Sequence, residues 1–163
     1  MKHEKTHCNK MIFAGLTVRT NNKNEMNPST GKIGPLVQQY WNEQIAKRIL
    51  NRANSGLTYT AYTDYESNEH GDYTFFVGEA VLSDAPQSDF QILTIPAGKF
   101  QKFTTDAGKM PDNIIQTWQA IWAMDAKQLG GKRNYIADFE VYDDRALDPN
   151  NAIVDIYIGI QED

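Results

Sequence analysis

The feature that most constrains the fold of this sequence is an internal repeat in the order of its predicted elements. A strand, a helix and two further strands are predicted over residues 11–83, and the same order is predicted over about residues 90–160. A proline stands at the start of each helix, as Pro35 and Pro111. Two such modules placed side by side leave a groove at their junction, where a ligand can bind. We therefore predict an α+β fold in which two pseudo-repeated β-α-β-β modules form an antiparallel sheet with two main helices and a groove between the modules.

The elements of the first half-repeat are predicted from hydrophobic periodicity and loop composition. A strand over residues 11–19 is followed by a loop rich in Asn, Ser, Thr and Gly over residues 20–32. Apolar residues at helical spacing predict a helix over residues 35–51. Alternating β-branched and aromatic residues then predict two strands joined by a turn, over residues 57–65 and 73–82.

The second half-repeat is predicted in the same way. Residues 83–88 form a linker, and residues 90–105 contain two strand-like segments. A helix over residues 111–129 stops at a pair of glycines. The closing strands are predicted over residues 135–142 and 153–160.

Composition excludes several classes of protein. The 163 residues suit one domain, so we predict a flexible lead over residues 1–10 and a single domain over residues 11–163. The net charge of −5 without a basic cluster argues against nucleic acid as a direct partner. No apolar run approaches the roughly 20 residues of a membrane span, and no apolar segment follows the charged N-terminus. The single Cys8 cannot form an internal disulfide, and a cytoplasmic location is the expectation.

Residues that could bind a metal or carry out catalysis are sparse. His3, His7 and Cys8 are a metal trio by residue type, but no second cluster stands at a familiar ligand spacing, so neither a metal nor a cofactor is predicted. Phosphate loops and the common hydrolase motifs are absent, and His70 lies in a predicted turn. We therefore expect no enzyme activity and assign no catalytic residue.

The closing strands each carry a polar face. Asp138, Glu140 and Tyr142 share one face of the first, and Asp155 and Tyr157 share one face of the second. Alternation alone favours the interpretation that these side chains form a solvated sheet face. In the first half-repeat Glu79 interrupts an apolar strand face. Exposure at a strand end and a buried carboxylate explain Glu79 equally well.

The alternative interpretation of these carboxylates is a site for a cation. An ionised carboxylate in a partly dry groove is costly unless it is paired, and a positively charged ligand supplies the pair. Aromatic rings add cation–π attraction of roughly 0.5–2 kcal/mol each. The helices and strands carry many aromatic residues that could line such a groove: Tyr40, Trp41, Tyr59, Tyr62, Tyr73, Trp118, Trp122, Tyr142 and Tyr157.

Several short segments of the sequence resemble, in the same order, the motifs of a known family. One segment precedes the second predicted helix, Ile95-Pro96-Ala97-Gly98-Lys99-Phe100. Another lies within that helix, Thr117-Trp118-Gln119-Ala120-Ile121-Trp122. The C-terminal signature consists of Phe139-Glu140-Val141-Tyr142, Asp148-Pro149 and Asp155-Ile156-Tyr157-Ile158-Gly159-Ile160. In this order they resemble the gyrase-inhibitory-protein-like domains, also called AraC-family effector-binding domains. The resemblance spans nearly the whole chain from about residue 11, and the stand-alone drug-binding proteins of integron cassettes are the most similar members.

The resemblance implies a stand-alone protein that binds amphipathic or lipophilic organic cations, related to the multidrug-responsive transcription regulators. The ligand-facing acidic residue of the family falls in a Phe-Glu-x-Tyr phrase, which maps to Glu140, and Tyr142 follows from the same phrase. Many members have Pro where this chain has Gly159, so the edge of the last strand can differ. The predicted ligand-binding residues are Glu140, Tyr142, Trp118, Trp122, Tyr59, Tyr157 and Glu79.

Two other functions stay open at this point. The chain could be an interaction protein that regulates a macromolecular target. It could also be a small-molecule hydrolase in which Glu140 and Tyr142 act as acid and base. Exposed edge strands would favour a homodimer.

Overall fold

The computed structural model describes residues 1–162, which fold into one eight-stranded sheet with helices on one face. The strands are β1 (Lys2–Cys8), β2 (Met11–Thr20), β3 (Thr58–Thr63), β4 (Tyr73–Ala80), β5 (Gln91–Ile95), β6 (Gly98–Thr104), β7 (Arg133–Tyr142) and β8 (Asp155–Ile160). The helices are α1 (Asn22–Glu25), α2 (Ile33–Asn42), α3 (Ile45–Arg48), α4 (Asp112–Trp122) and α5 (Ala126–Leu129), and a 3-10 helix spans Asp144–Ala146. The predicted α+β class, with an antiparallel sheet and two main helices (α2 and α4), is confirmed.

The two edges of the sheet meet at one end. The strand order is β1-β6-β8-β7-β3-β4-β2-β5, and all neighbouring pairs are antiparallel. Only Asn9 and Lys10 separate β1 from β2, and only Pro96 and Ala97 separate β5 from β6. Each link joins the last residue of one strand to the first residue of the next, three residues later, and can span at most about 11 Å. The sheet must therefore bend so that its two edges lie close together.

Helices α2 and α4 lie on the same face of the sheet, each over its own apolar core. Under α4, Trp118 and Ile121 pack with Ile156 and other residues of β6 and β8. Under α2 and α3, a second core contains Ala14, Tyr40, Ile45, Ile49, Phe75, Val77 and Val81. Tyr62 of β3 contacts both cores. The middle of the sheet, where β3 pairs with β7, therefore lies between the two helices.

The opposite face of the sheet carries a third core inside the bend. It is formed by Phe13, Ala61, Phe76, Ile95, Phe100, Ala137 and Phe139. These residues come from strands on both sides of the β3–β7 pair. The bend therefore buries the face that the helices leave uncovered.

Most of the segment predicted as a flexible lead, residues 1–10, is a strand in the structure. Lys2–Cys8 is strand β1, which pairs antiparallel with β6 along its whole length. An edge strand that is exposed on both faces needs no alternation of apolar and polar residues, so hydrophobic periodicity could not detect it. His3 stacks on Phe103, whereas Cys8 packs against the third core on the other face.

Both predicted helices are interrupted, and the predicted loop between residues 20 and 32 contains helix α1. The helix predicted over residues 35–51 is α2 followed by α3, because Gln44 takes a left-handed conformation with φ of 50°. The helix predicted over residues 111–129 is α4 followed by α5. There the Asp125 side chain accepts a hydrogen bond from the Gln128 amide and begins a new helix.

The interpretation of the polar strand faces as solvated is wrong. Asp138 is 0% exposed, Glu140 is 2% exposed and Asp155 is 7% exposed. Helices α2 and α4 cover the face that carries Asp138 and Glu140, and the bend of the sheet covers the face that carries Tyr157. Tyr135 also departs from the predicted alternation, since its φ of 52° accompanies a register shift in β7 between Arg133 and Asp138.

Each helix within residues 1–162 is too short or too polar to span a bilayer.

Candidate ligand-binding cavity

A cavity of about 1030 Å³ lies between α2 and α4 above the middle of the sheet. Its floor comes from β3, β4 and β7, through residues such as Thr60, Phe75 and Glu140. Its walls come from the two helices, for example through Val37 of α2 and Trp118 of α4. The volume is at the upper end of the range usual for small-molecule sites, which is about 300–1,000 Å³.

Glu140 is a buried carboxylate held by neutral groups alone. Oε1 accepts hydrogen bonds from Thr60 Oγ1 at 2.5 Å and from the Tyr142 hydroxyl at 2.7 Å. Oε2 accepts from Trp118 Nε1 at 2.7 Å and from the Tyr62 hydroxyl at 3.4 Å. None of the ion pairs found within residues 1–162 involves Glu140. The carboxylate is therefore solvated by the protein, but its charge has no internal counter-ion.

Asp138, two residues earlier on the same face of β7, has the counter-ion that Glu140 lacks. Its Oδ2 accepts from Arg133 Nη2 and from the Tyr65 hydroxyl, both at 2.5 Å. The Arg133 guanidinium lies over the Tyr135 ring, 4.3 Å from its centroid. One buried carboxylate of this strand is thus matched with a cation and an aromatic cage from the protein itself. The other has the aromatic cage without the cation.

Tyrosine and tryptophan rings surround Glu140. The Tyr62 ring lies 5.1 Å from Trp118 and 5.5 Å from Tyr73, measured between centroids, and Trp118 lies 6.0 Å from Trp122. Burial, and next the charge of Glu140, raises the pKa of Tyr62 and of Tyr142 well above the ordinary 10.0. Both hydroxyls therefore stay protonated and can go on donating to the carboxylate.

The mouth of the cavity is ringed by exposed apolar side chains. Met26, Trp41, Ile115 and Leu147 line the cavity and are each more than two-fifths exposed. Large apolar residues grouped at one opening, and not scattered singly, mark a contact surface for an apolar molecule.

Acidic residues outnumber basic residues in the lining. Among the described residues the lining contains four carboxylates, Glu25, Glu69, Glu140 and Asp143, and one basic side chain, Arg133. Low-dielectric walls strengthen such an imbalance, so the interior favours positive charge.

The structure brings together four of the seven predicted ligand-binding residues. Glu140, Tyr142, Trp118 and Trp122 all line the cavity. Tyr59 and Tyr157 lie on the opposite face, where Tyr157 stacks on Phe139 at 4.4 Å and Tyr59 packs against Phe13 at 4.8 Å. The remaining residue, Glu79, is 2% exposed, lies outside the lining and pairs with Arg52 at 3.3 Å.

Sequence reasoning left out several residues that the fold places at this cavity. Thr60 bonds to Glu140 because β3 and β7 are neighbours in a register that pairs the two residues. Tyr62 is one of the aromatic candidates for the groove lining, although it is not among the seven predicted ligand-binding residues, and it shares a face of β3 with Thr60. Glu69 and Arg133 stand in predicted loops or at a strand end, and no pattern in the sequence singles them out.

No group of three or more His, Cys, Asp or Glu side chains within the described part of the chain could hold a metal ion.

A bent antiparallel sheet with two helices over a carboxylate-bearing aromatic cavity is the architecture of a small-molecule receptor, and the comparison with protein families agrees. The family model described as integron-associated effector binding protein (Cass2) matches residues 6–160. This chain belongs to that family of effector-binding proteins. The resemblance to the gyrase-inhibitory-protein-like and AraC-type effector-binding domains is confirmed.

Individual proteins show the same relationship. The chain is 31% identical over 158 residues to YobU of Bacillus subtilis (strain 168), a candidate transcriptional regulator, and the match covers 96% of both chains. An integron cassette protein from the mobile metagenome of Vibrio cholerae has a TM-score of 0.77 at 29% identity, covering 98% of this chain and 95% of that one. SAV2435, solved bound to tetraphenylphosphonium, has a TM-score of 0.76 at 14% identity, covering 99% of this chain and 94% of that one. The last likeness is one of fold.

Proposed function

We propose that the protein is a stand-alone receptor for amphipathic or lipophilic organic cations, which bind in the cavity between α2 and α4. Glu140 is the counter-ion of the ligand. Trp118, Trp122 and Tyr142, joined by Tyr62, form the aromatic walls. Tyr59, Tyr157 and Glu79 have no part in this proposal, because they lie outside the cavity.

The observation that carries the proposal is the missing counter-ion of Glu140. A buried carboxylate is costly to a fold unless something compensates its charge. Four neutral donors solvate Glu140 in place of water, and no cation among residues 1–162 pairs with it. The neighbouring Asp138, in a similar cage, has Arg133 as its partner. A ligand cation would pair with Glu140 in the way that Arg133 pairs with Asp138.

The walls and the mouth suit a cation with a large apolar body. The rings of Tyr62, Trp118 and Trp122, set at 66° and 38° to one another, each offer about 0.5–2 kcal/mol of cation–π attraction to a cation that lies over a ring face. The exposed apolar rim gives such a body a surface to contact on entry. Tetraphenylphosphonium, which SAV2435 binds on the same fold, is an ion of this kind.

We further propose that the cavity is the groove between two pseudo-repeated modules. The strand order supports this, since β3-β4-β2 on one side of the centre corresponds to β7-β8-β6 on the other. Each side contributes one long helix from the same place in the order of elements, between the first and second of its strands. The site would then lie on the pseudo-symmetry axis at the β3–β7 pair.

Glu140→Gln tests the assignment directly. The substitution keeps the shape and removes the charge, so affinity for a lipophilic cation such as tetraphenylphosphonium should fall roughly tenfold or more, which is at least about 1.4 kcal/mol. Quenching of tryptophan fluorescence measures the affinity, with a neutral and an anionic aromatic compound of matched size as comparisons. Circular dichroism establishes that the variant is folded.

Glu79→Gln is the matched control, since Glu79 is equally buried in the same sheet but lies outside the cavity. It should leave cation affinity unchanged. Equal affinity of the folded Glu140→Gln variant and the unmodified protein would contradict the proposal, as would equal binding of all three charge types. A macromolecular partner that survives Glu140→Gln would support the regulator alternative. Turnover of a small electrophile that is lost in Glu140→Gln would support the hydrolase alternative.

A further inference from the structure

We infer that the cavity is built for an elongated dication, whose second positive charge lies against Glu69, at the end of the cavity formed by Tyr65 and Arg133. This inference rests on the proposed function and goes beyond it, because it assigns a second anchoring residue and the class of ligand.

Glu69 is a cavity carboxylate held in a fixed position. Its Oε2 accepts a hydrogen bond from the Tyr135 hydroxyl, and its backbone carbonyl accepts from Asn22 Nδ2 at 3.0 Å. Asn22 in turn accepts from the Tyr73 hydroxyl at 2.9 Å. The side chain is 28% exposed, so one carboxylate oxygen remains reachable from the cavity. Burial opposes its ionisation, but the hydrogen bond from Tyr135 and further favourable contacts lower the pKa of Glu69 overall.

The charges at this end of the cavity leave one negative charge unmatched. The buried guanidinium of Arg133 is 2.5 Å from Asp138, and these two charges balance. Arg133 also attracts Glu69, but its charge is already balanced by Asp138. The basic side chain that pairs with the other oxygen of Glu69 is His70, at 3.9 Å with its side chain 85% exposed, where solvent screens any charge that the imidazole carries. Glu69 is therefore available to a positive group on a ligand.

A continuous series of aromatic rings connects Glu69 to Glu140. Tyr62 bonds to Glu140 and its ring lies 5.5 Å from that of Tyr73. Tyr73 lies 5.9 Å from Tyr65, and Tyr65 lies 5.5 Å from Tyr135, which bonds to Glu69. The rings of Tyr73 and Tyr65 thus lie between Tyr62, which bonds to Glu140, and Tyr135, which bonds to Glu69. They offer an apolar path for the linker of a two-headed ligand.

The size of the cavity agrees with such a ligand. About 1030 Å³ is ample for two aromatic heads and an alkyl linker, whereas a compact monocation fills only part of a site at the top of the usual range. Holding both charges at once makes binding of the second head intramolecular, which raises affinity without a new kind of contact.

The experiment compares alkane-linked bis-pyridinium dications of increasing linker length with the N-alkylpyridinium monocation of matched chain. The readout is the ratio of dication to monocation affinity. In the unmodified protein the best dication should bind roughly tenfold tighter or more. Glu69→Gln should bring this ratio close to one, whereas Glu140→Gln should weaken both compounds. Glu66→Gln is the control, because Glu66 is an exposed acid of the same loop outside the lining and should leave the ratio unchanged.

The outcomes separate this inference from the proposed function. If the monocation binds and Glu140→Gln weakens it, but no dication gains affinity or Glu69→Gln preserves the gain, the second anchor is wrong and the cation receptor stands. If neither compound binds, both assignments fall. A gain that is lost equally in Glu66→Gln would show general attraction to an acidic surface, which also overturns the second anchor.

Discussion

Glu140 is a buried residue whose hydrogen bonds are satisfied but whose charge has no partner among residues 1–162. Its two oxygens accept from two tyrosines, a threonine and a tryptophan, so little hydrogen-bonding capacity is left unsatisfied. The net charge remains, and pairing with a cation would offset the cost of burying it. If Glu140 binds a ligand cation as proposed, the protein supplies the hydrogen bonds and the ligand supplies the compensating charge.

Thr60→Val tests how much the hydrogen bond from Thr60 to Glu140 contributes to the stability of the fold. The substitution keeps the side-chain shape and removes a donor 2.5 Å from Glu140, so the free energy of unfolding should fall by about 1–3 kcal/mol. Denaturant unfolding at neutral pH measures the change. Thr58→Val is the matched control, since Thr58 lies on the same face of β3 and lines the cavity without a side-chain hydrogen bond to any described residue. Equal losses in the two variants would show that the bond to Glu140 contributes nothing specific.

At the scale of elements, the start of α2 is fixed by a residue from outside that helix. Lys32 stands at the N-cap position without a side-chain cap. The Glu25 carboxylate replaces it, accepting from the Lys32 amide at 2.8 Å and from the Ile33 amide at 3.0 Å. A negative charge at a helix N-terminus is favourable, because the free amides there carry partial positive charge. Glu25 therefore connects α1 to the helix that carries one wall of the cavity.

Glu25→Gln should loosen α2 from its first turn. We expect a loss of about 1 kcal/mol in the free energy of unfolding, together with faster hydrogen exchange at the Ile33 amide. Glu43→Gln tests the opposite end of the same helix, where Glu43 is the C-cap and is half exposed. A negative charge at that end is unfavourable, so this change should stay within about 0.5 kcal/mol or be slightly stabilising. A larger loss in Glu43→Gln than in Glu25→Gln would contradict this account of α2.

The sequence predicts which face of a strand or helix a residue lies on, because that depends on one element alone. It does not predict burial or contacts that depend on how two elements pack together. Alternation alone places Glu140 and Tyr142 on one face of β7, and helical spacing places Trp118 and Trp122 on α4. Whether a polar strand face meets water depends on which helix covers it, which lies outside the strand itself. Tyr59 shows the same limit, since its strand alternates as predicted but both faces of the sheet are covered. The pairing of Thr60 with Glu140 needs the register of strands 80 residues apart.

At the scale of the whole molecule, tyrosine is a systematic source of pH dependence. All eight tyrosines have a raised pKa, with burial as the first cause in each. The pKa of Tyr135 and that of Tyr157 rise to about 12. Neighbouring carboxylates such as Glu140 and Asp138 raise several of them further. The folded protein therefore keeps phenol protons that the unfolded chain releases near its ordinary pKa of 10.0.

Stability should consequently fall as pH rises above 10. In that range the unfolded state binds fewer protons than the folded state, so the free energy of unfolding decreases with pH. Below pH 10 both states keep these protons and the contribution is constant. Denaturant unfolding on both sides of pH 10 measures the slope, to which each affected tyrosine adds up to about 1.4 kcal/mol per pH unit. Tyr142→Phe removes one such group and should make the slope shallower, and a stability that is flat through this range would refute the argument.

The meeting of the two sheet edges limits how a molecule can enter and leave the cavity. Many receptors capture a ligand by swinging two lobes together about a hinge. Here β3 and β7 join the halves at the centre, and the two-residue links from β1 to β2 and from β5 to β6 join them again at the margin. Because the two halves of the sheet are joined along both lines, they cannot open and close about a hinge. A ligand bound as proposed would instead enter and leave past the apolar rim, so its rates of binding and release would depend on the side chains of Met26, Trp41, Ile115 and Leu147.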